Sequence, residues 1–306
     1  MTSPPSLLVL AAGVGRRFGG LKQLEPIGPS GEILLEYSVF DAIRAGFERV
    51  VLVIRAETEG LFRDALESKL AGRVDVSYVY QRLDDLPLGM SPDSGRRKPW
   101  GTAHAVWAAR HEILESFAVV NADDFYGRGA YRVLADFLAD QRTGQPPTFG
   151  LAGFQVATTL ADTGAVSRGL CRVDDAGWLE EIIEVPELEK RGSGGAFTDA
   201  AGIEREVAGD ALVSMNMWGF SPAIFPEIGA RLPRFLAGSG TPQSASAELL
   251  IPDVIQEMIR EGRARVRVLR HCGSWCGITH PDDREPVRRF ISDLIREGHY
   301  PEALWD

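Results

Sequence analysis

The residues with the clearest chemical potential lie between Leu7 and Leu24, in the run Leu-Leu-Val-Leu-Ala-Ala-Gly-Val-Gly-Arg-Arg-Phe-Gly-Gly-Leu-Lys-Gln-Leu. A short apolar segment ends in a turn holding Gly13, Gly15, Gly19 and Gly20, with Arg16, Arg17 and Lys22 interleaved. Glycines let backbone N–H groups approach a phosphate, and cations add charge-assisted hydrogen bonds to it. The spacing is neither G-x-x-x-x-G-K-[ST] nor G-x-G-x-x-G, which argues against a kinase-type P-loop and against a dinucleotide site. An ordinary strand-to-loop turn with solvated arginines is the plain alternative.

Two further segments carry chemistry. Val119-Val-Asn-Ala-Asp-Asp-Phe125 puts an acid pair at the end of an apolar run. Asp123 is the first candidate for a Mg2+ ligand, because that ion takes oxygen donors and completes its shell with water and phosphate. Asp124 is either a second ligand or a brace, and both acids could instead cap a following helix. Lys98-Pro-Trp-Gly-Thr-Ala-His-Ala105 opens a helix, where Gly101 gives flat backbone access and Thr102 is a plausible cap. With Gln81 offering an amide, this segment reads as a wall for a nucleobase. The plain alternative is helix capping with a packed His104. His271, Cys272, Cys276 and His280 match no common zinc spacing, and Trp275 among them suggests packing.

The elements that must position these residues follow from the hydropathy pattern. Apolar runs at 6–12, 50–54, 74–80 and 117–121 alternate with amphipathic stretches at 32–45, 57–70 and 102–115. That alternation predicts an α/β fold, a three-layer sandwich whose central sheet is mainly parallel and Rossmann-like. Ligands of such sheets sit at the carboxyl ends of the strands, where the glycine turn, Gln81 and the acid pair all fall. Strands at 149–156, 169–173, 178–185, 212–220 and 264–269 dominate the second half, with helices at 222–236, 247–261 and 281–296. Segments 84–98, 190–210 and 238–246 read as loops. A single domain over 1–306 is expected, with a nucleotide-binding half at 1–145 and a second-substrate half at 146–306.

Composition narrows the function classes. Of 306 residues, 44% are hydrophobic and 25% charged, and the net charge of −10 argues against nucleic acid as a partner. No apolar stretch reaches the ~18 residues of a membrane span. The start, Met-Thr-Ser-Pro-Pro-Ser, lacks a basic leader, and three cysteines make no disulfide framework, so a cytoplasmic protein is expected. A homo-oligomer is compatible with all of this.

Leu10-Ala-Ala-Gly-Val-Gly-Arg-Arg-Phe with Lys22, Gly101-Thr-Ala-His-Ala, Asn121-Ala-Asp-Asp, Ser214-Met-Asn-Met-Trp-Gly-Phe, and Glu248 before Ile251-Pro-Asp together resemble the sugar-1-phosphate nucleotidyltransferases. The resemblance spans nearly the whole chain. It implies the nucleotidyltransferase or GT-A-like variant of the α/β sandwich, with no β-helix extension. It also implies a reaction between an NTP and a sugar 1-phosphate that yields a nucleotide sugar and pyrophosphate, with Mg2+ as cofactor. By the same resemblance, Arg16, assisted by Arg17, would bind the β- and γ-phosphates, Lys22 would stabilise the α-phosphate, and Asp123 would hold the metal. Leu10, Ala11, Ala12, Gly13, Gly15, Gln81, Gly101 and Thr102 would line the nucleotide. Asn121, Asp124, Glu184, Asn216 and Glu248 would face the sugar. The Gly101-Thr-Ala-His-Ala segment leans towards UTP or dTTP.

Two departures stand out. Many relatives carry Glu-Lys-Pro, whose lysine contacts the sugar phosphate, whereas Glu184-Val185-Pro186 has valine there; Lys190 or an arginine from a loop is the candidate replacement. Relatives also carry an aspartate where Trp275-Cys-Gly277 has glycine, and Asp283, next to Asp282, is the candidate second metal ligand. Both acids could merely start the last helix. Alternatives to the leading reading are a regulatory or inactive homologue that binds nucleotide sugar, a cytidylyltransferase acting on another phosphate or alcohol, and a glycosyltransferase. The last would not need the basic glycine turn, since its donor has only a diphosphate.

Overall fold

The computed structural model describes residues 3–13, 21–92, 96–140, 144–160, 164–238, 247–271, 273–278 and 280–306. The first half alternates β1 (Ser6–Leu10), α1 (Leu34–Ala45), β2 (Arg49–Ile54), α2 (Glu59–Leu70), β3 (Asp75–Tyr80), α3 (Thr102–Ala108) and β4 (Phe117–Asn121). β1 lies between β4 and β2, and β3 lies beyond β2, with all four parallel. Successive side chains of a strand point to opposite faces, so β1 serves two cores. Leu7 and Val9 pack with Val39 of α1 and Phe62 of α2, while Leu8 and Leu10 pack with Val106 of α3 and Ile255 across the sheet. Helices therefore cover both faces, giving the expected three-layer α/β sandwich.

The second half comprises β5 (Asp124–Phe125), α4 (Gly127–Ala139), β6 (Thr148–Gln155), β7 (Val166–Val173), β8 (Leu179–Arg191), β9 (Gly194–Thr198), β10 (Glu204–Val207), β11 (Leu212–Phe220), α5 (Ile224–Gly238), α6 (Ile251–Arg260), β12 (Arg265–Arg270), β13 (Cys276–Gly277) and α7 (Arg284–Arg296). β11 extends the parallel strands antiparallel to β4, and its two ends have different neighbours. Trp218–Phe220 pair with β4, whereas Val213 and Ser214 pair with β7. β6 runs along the other side of β11, with a register shift between Ser214 and Trp218. Asn216 occupies the shift with φ 61°, the one positive φ outside glycine among the described residues.

Three elements differ from the hydropathy reading. The helix expected over 102–115 stops at Ala108 and continues as tight turns, as Arg49 takes the Glu112 carbonyl at 2.8 Å. The segment 190–210, rich in glycine and charge, contains the strands β9 and β10 instead of being loop throughout, with Leu188, Ala196 and Val207 buried. α4 follows the acid pair where the alternative reading of those acids places a helix, although the hydropathy pattern does not mark it: Gly127 and Gly129 disguise its start, while Ala130, Tyr131, Leu134 and Leu138 form its buried stripe. Among the described residues no helix is long and apolar enough to cross a membrane.

Candidate active site

Backbone pairing brings the loops after β1 and β4 together. Ala11 N donates to Val53 O at 2.8 Å and Ala122 N to Leu10 O at 3.1 Å, so the ladder runs past the strand ends. Leu10, Ala11 and Ala12 are buried there, and Gly13 is exposed. Gln23 donates from Nε2 to Gly13 O at 3.1 Å. Lys22 opens the short 3-10 turn that carries Gln23, and its ammonium pairs with the Asp123 carboxylate. The same ammonium donates to Ile278 O at 3.2 Å, while Ile278 N donates to Asp123 O at 3.0 Å. β13 reaches this point by pairing antiparallel with β5, so three distant segments close around one ion pair. Each of the two side chains keeps 19% exposure, leaving the pair open to a ligand. Gly15, Arg16 and Arg17 lie outside the described residues.

A directional relay runs behind the pair. Indole nitrogen can only donate, so Trp218 Nε1 fixes the Asn216 atom 3.0 Å away as Oδ1. Asn216 Nδ2 then donates to Asn121 Oδ1 at 2.8 Å, and Asn121 Nδ2 donates to Asp124 Oδ2 at 2.8 Å. Asp124 is buried, and its Oδ2 also lies 3.2 Å from the Tyr126 hydroxyl, so its carboxylate turns inward while Asp123 meets Lys22. Burial, then the charge of Asp123, pushes the Asp124 carboxyl above the usual range. Its geometry is that of a brace for the strand end.

Val185 is buried in the core with Leu188 and Met215. Its partner across the β7–β8 ladder is Arg168, and Glu184 faces Gly169. Arg168 donates twice to Thr159 O and once to Ser167 O, and its guanidinium lies 4.8 Å over the Trp275 ring. Burial lowers its pKa to about 10, against the favourable charges of Asp124 and Glu184. Arg168 is thus a cation on the acid side of the site, anchored by backbone carbonyls. Lys190, by contrast, is exposed on β8, where it pairs with Gly195. Glu184 accepts from the Ser167 hydroxyl. The hydropathy pattern could not single out Arg168; its signal is the cross-strand register opposite Val185.

The segments expected to form a nucleobase wall come into contact with each other. Gln81 N continues the ladder to Ile54 O at 2.9 Å, and its side-chain Nε2 donates to Gly101 O at 2.9 Å. Gly101 has φ +105°, and a Cβ there would stand 2.4 Å from Leu249 O, so only glycine fits. The Leu249 backbone pairs with this segment, through Leu249 N to Trp100 O at 2.7 Å and Ala103 N to Leu249 O at 3.0 Å. Thr102 Oγ1 accepts from Ile251 N at 3.1 Å, so it caps α6 rather than its own helix. Glu248 stands against Gly101 and pairs with Lys98 at 2.8 Å.

Asp283 accepts from His280 N at 2.6 Å, capping the turn that precedes α7. Cys272 lies outside the described residues; burial lowers the His271 pKa to about 4, and its Nδ1 accepts from Gly273 N at 3.0 Å. No group of three or more His, Cys, Asp or Glu suited to a metal occurs among the described residues.

The sequence matches the family model described as Nucleotidyl transferase over residues 6–290. This chain belongs to the nucleotidyl transferase family. It is therefore a transferase enzyme. Among solved structures, this nucleotidyl transferase resembles a UDP-glucose pyrophosphorylase complexed with UDP-glucose, at 18% identity and TM-score 0.59, covering 96% of this chain and 99% of that one. It also resembles an inositol-1-phosphate CTP transferase from T. maritima, at 15% identity and TM-score 0.61, over 96% and 98% of the two chains. A putative glucose-1-phosphate thymidylyltransferase from Bacillus anthracis, in complex with a sucrose, matches at 13% identity and TM-score 0.58, over 94% and 95%. These likenesses establish a shared fold. No curated protein matches the chain.

Proposed function

We propose that this nucleotidyl transferase couples an NTP, with UTP or dTTP favoured, to a sugar 1-phosphate, releasing pyrophosphate. The observation that carries the reading is the Lys22–Asp123 pair, held half-open at the carboxyl edge of the parallel strands beside the Asn121–Asn216 link. A phosphate oxygen of the sugar phosphate attacks the α-phosphorus in line. The bond from that phosphorus to the bridging oxygen breaks, and its electrons leave with pyrophosphate. Such a displacement needs positioning and charge neutralisation more than a protein nucleophile. Lys22 exchanges Asp123 for the α-phosphate when the nucleotide enters, and Arg16 and Arg17 take the β- and γ-phosphates.

A magnesium ion fits the donor set. Mg2+ is held by one or two carboxylates plus water and phosphate oxygens, and Asp123 offers a partly exposed carboxylate whose described partner is a displaceable lysine. Asp123 would hold the ion, with Asp283 as the second acid; when bound, the ion supplies charge neutralisation for the phosphates. Arg168 takes the phosphate of the second substrate in the place that Val185 leaves apolar, and Asn121, Asn216, Glu184 and Glu248 serve the sugar. Asp124 holds the strand end. Residues 1–145 thus form the nucleotide half and 146–306 the sugar-phosphate half.

The test is pyrophosphate release by the full chain from UTP, dTTP, CTP, GTP and ATP, each with a panel of sugar 1-phosphates. Inositol 1-phosphate belongs in the panel, because a structural neighbour is named for it. Release with a hexose 1-phosphate is expected. Tight nucleotide-sugar binding with no release from any pair would instead identify a sensor.

A further inference from the structure

The Gln81 amide is clamped in one orientation, and the atoms that clamp it can be assigned without ambiguity. A backbone carbonyl only accepts, so the amide atom 2.9 Å from Gly101 O is Nε2, with one hydrogen engaged there. The same nitrogen lies 3.3 Å from His104 Nδ1. The ring's other nitrogen, Nε2, stands 2.7 Å from the carbonyl oxygen of Asp85, a second pure acceptor. The ring proton is therefore on Nε2, and Nδ1 presents a lone pair to the second amide hydrogen. Both Gln81 hydrogens are engaged, and its Oε1 takes no partner among the described residues. The clamp is itself held rigid: His104 is fully buried, and Arg110 grips Asp85 with two bonds of 2.7 and 2.9 Å while lying 3.5 Å over Trp107.

We propose that His104 is a positioning residue for nucleobase selection, fixing Gln81 so that the pocket presents an acceptor oxygen and no amide hydrogen. An unclamped glutamine can turn its amide to offer either polarity. A clamped one selects a base with an imino N–H at that point, the chemistry of uracil and thymine and also of guanine. Cytosine and adenine place a lone pair there, and two facing acceptors repel. A site built for one hydrogen-bond polarity discriminates by much more than a shape difference of one methyl group. The proposal rests on the nucleotide-pocket reading above.

The experiment measures affinities of the full chain for UTP, GTP, CTP and ATP by calorimetry, in wild type and His104→Phe, which keeps a ring but removes the Nδ1 acceptor. The wild type is expected to bind UTP at least about tenfold tighter than CTP, and His104→Phe, in which Gly101 O alone still holds the amide, to lower that ratio by about threefold or more. The variant should melt lower, since Asp85 O loses its buried partner, while affinity for inorganic pyrophosphate should stay near wild type. A wild type that favours CTP or ATP, or an unchanged ratio in the variant, overturns the inference while leaving the transferase reading intact. Failure to bind any of the four nucleotides or dTTP removes the parent reading as well. Should His104→Phe not fold, imidazole nitrogen-15 shifts of the wild type decide together with its nucleotide preference. A ring protonated at Nε2 supports the clamp, and one protonated at Nδ1 overturns it.

Discussion

Lys22 sits between a carboxylate and a carbonyl, the position of a donor whose value rises as negative charge develops nearby. Lys22→Ala is expected to lower kcat by roughly 10²-fold, about 3 kcal/mol, while nucleotide affinity changes little. Pyrophosphate-release kinetics beside calorimetry checks this, and equal losses in both would assign Lys22 to ground-state binding. Asn216 tests the relay. Asn216→Ala leaves Trp218 Nε1 and Asn121 Oδ1 without partners and places a Cβ-bearing residue lacking asparagine's local bonds at φ 61°. A loss of about 2–4 kcal/mol in urea unfolding is expected, and Asn216→Gly, which tolerates the backbone, should lose about 1 kcal/mol less. Equal losses in both variants would show that the conformation costs nothing.

At the level of elements, the entrance of α3 is the tightest constraint. Gly101→Ala would drive a Cβ to 2.4 Å from Leu249 O at φ +105°, and the carbonyl belongs to the backbone leading into α6. A destabilisation of roughly 2–4 kcal/mol is expected, with weaker nucleotide binding because Gln81 loses its fixed carbonyl. Thermal melts and nucleotide titration measure the two effects. The parallel strands were legible because buried runs such as Val50–Ile54 alternate with amphipathic helices, and Asn121-Ala-Asp-Asp was legible as polar residues ending such a run. The division of labour between Asp123 and Asp124 was not legible: it depends on Tyr126 and Asn121 filling the space behind one acid, a tertiary fact. Arg168 was equally hidden, since its partner Val185 is set by the pairing of β7 with β8. The strands β9 and β10 were missed because burial of Val207 depends on a core drawn from segments far along the chain.

For the molecule as a whole, the segment after α7 is bound to α1 by buried acids: Tyr300 OH donates to Asp41 at 2.5 Å and Trp305 Nε1 to Glu36 at 2.7 Å. Burial raises the Asp41 pKa to about 7 from an ordinary 3.8. The folded state therefore holds a proton that the unfolded chain has released, and this stabilisation is complete below the ordinary carboxylate range and lost as pH rises through about 7. Asp41→Asn, which keeps an acceptor for Tyr300, should remove that dependence and be more stable than wild type at pH ~8. Urea unfolding at pH ~5 and ~8 checks the sign, and a parallel decline in both proteins would clear Asp41 of responsibility. The register shift in β11 has a consequence for heredity. Ser214 must answer β7 and β6 while Trp218 answers β4 and β6, so dropping or adding one residue between them would transpose Trp218 and Phe220 to the opposite side of the sheet. Descendants of this gene can change length freely in surface connections, but the interval from Leu212 to Phe220 should be inherited without a gap.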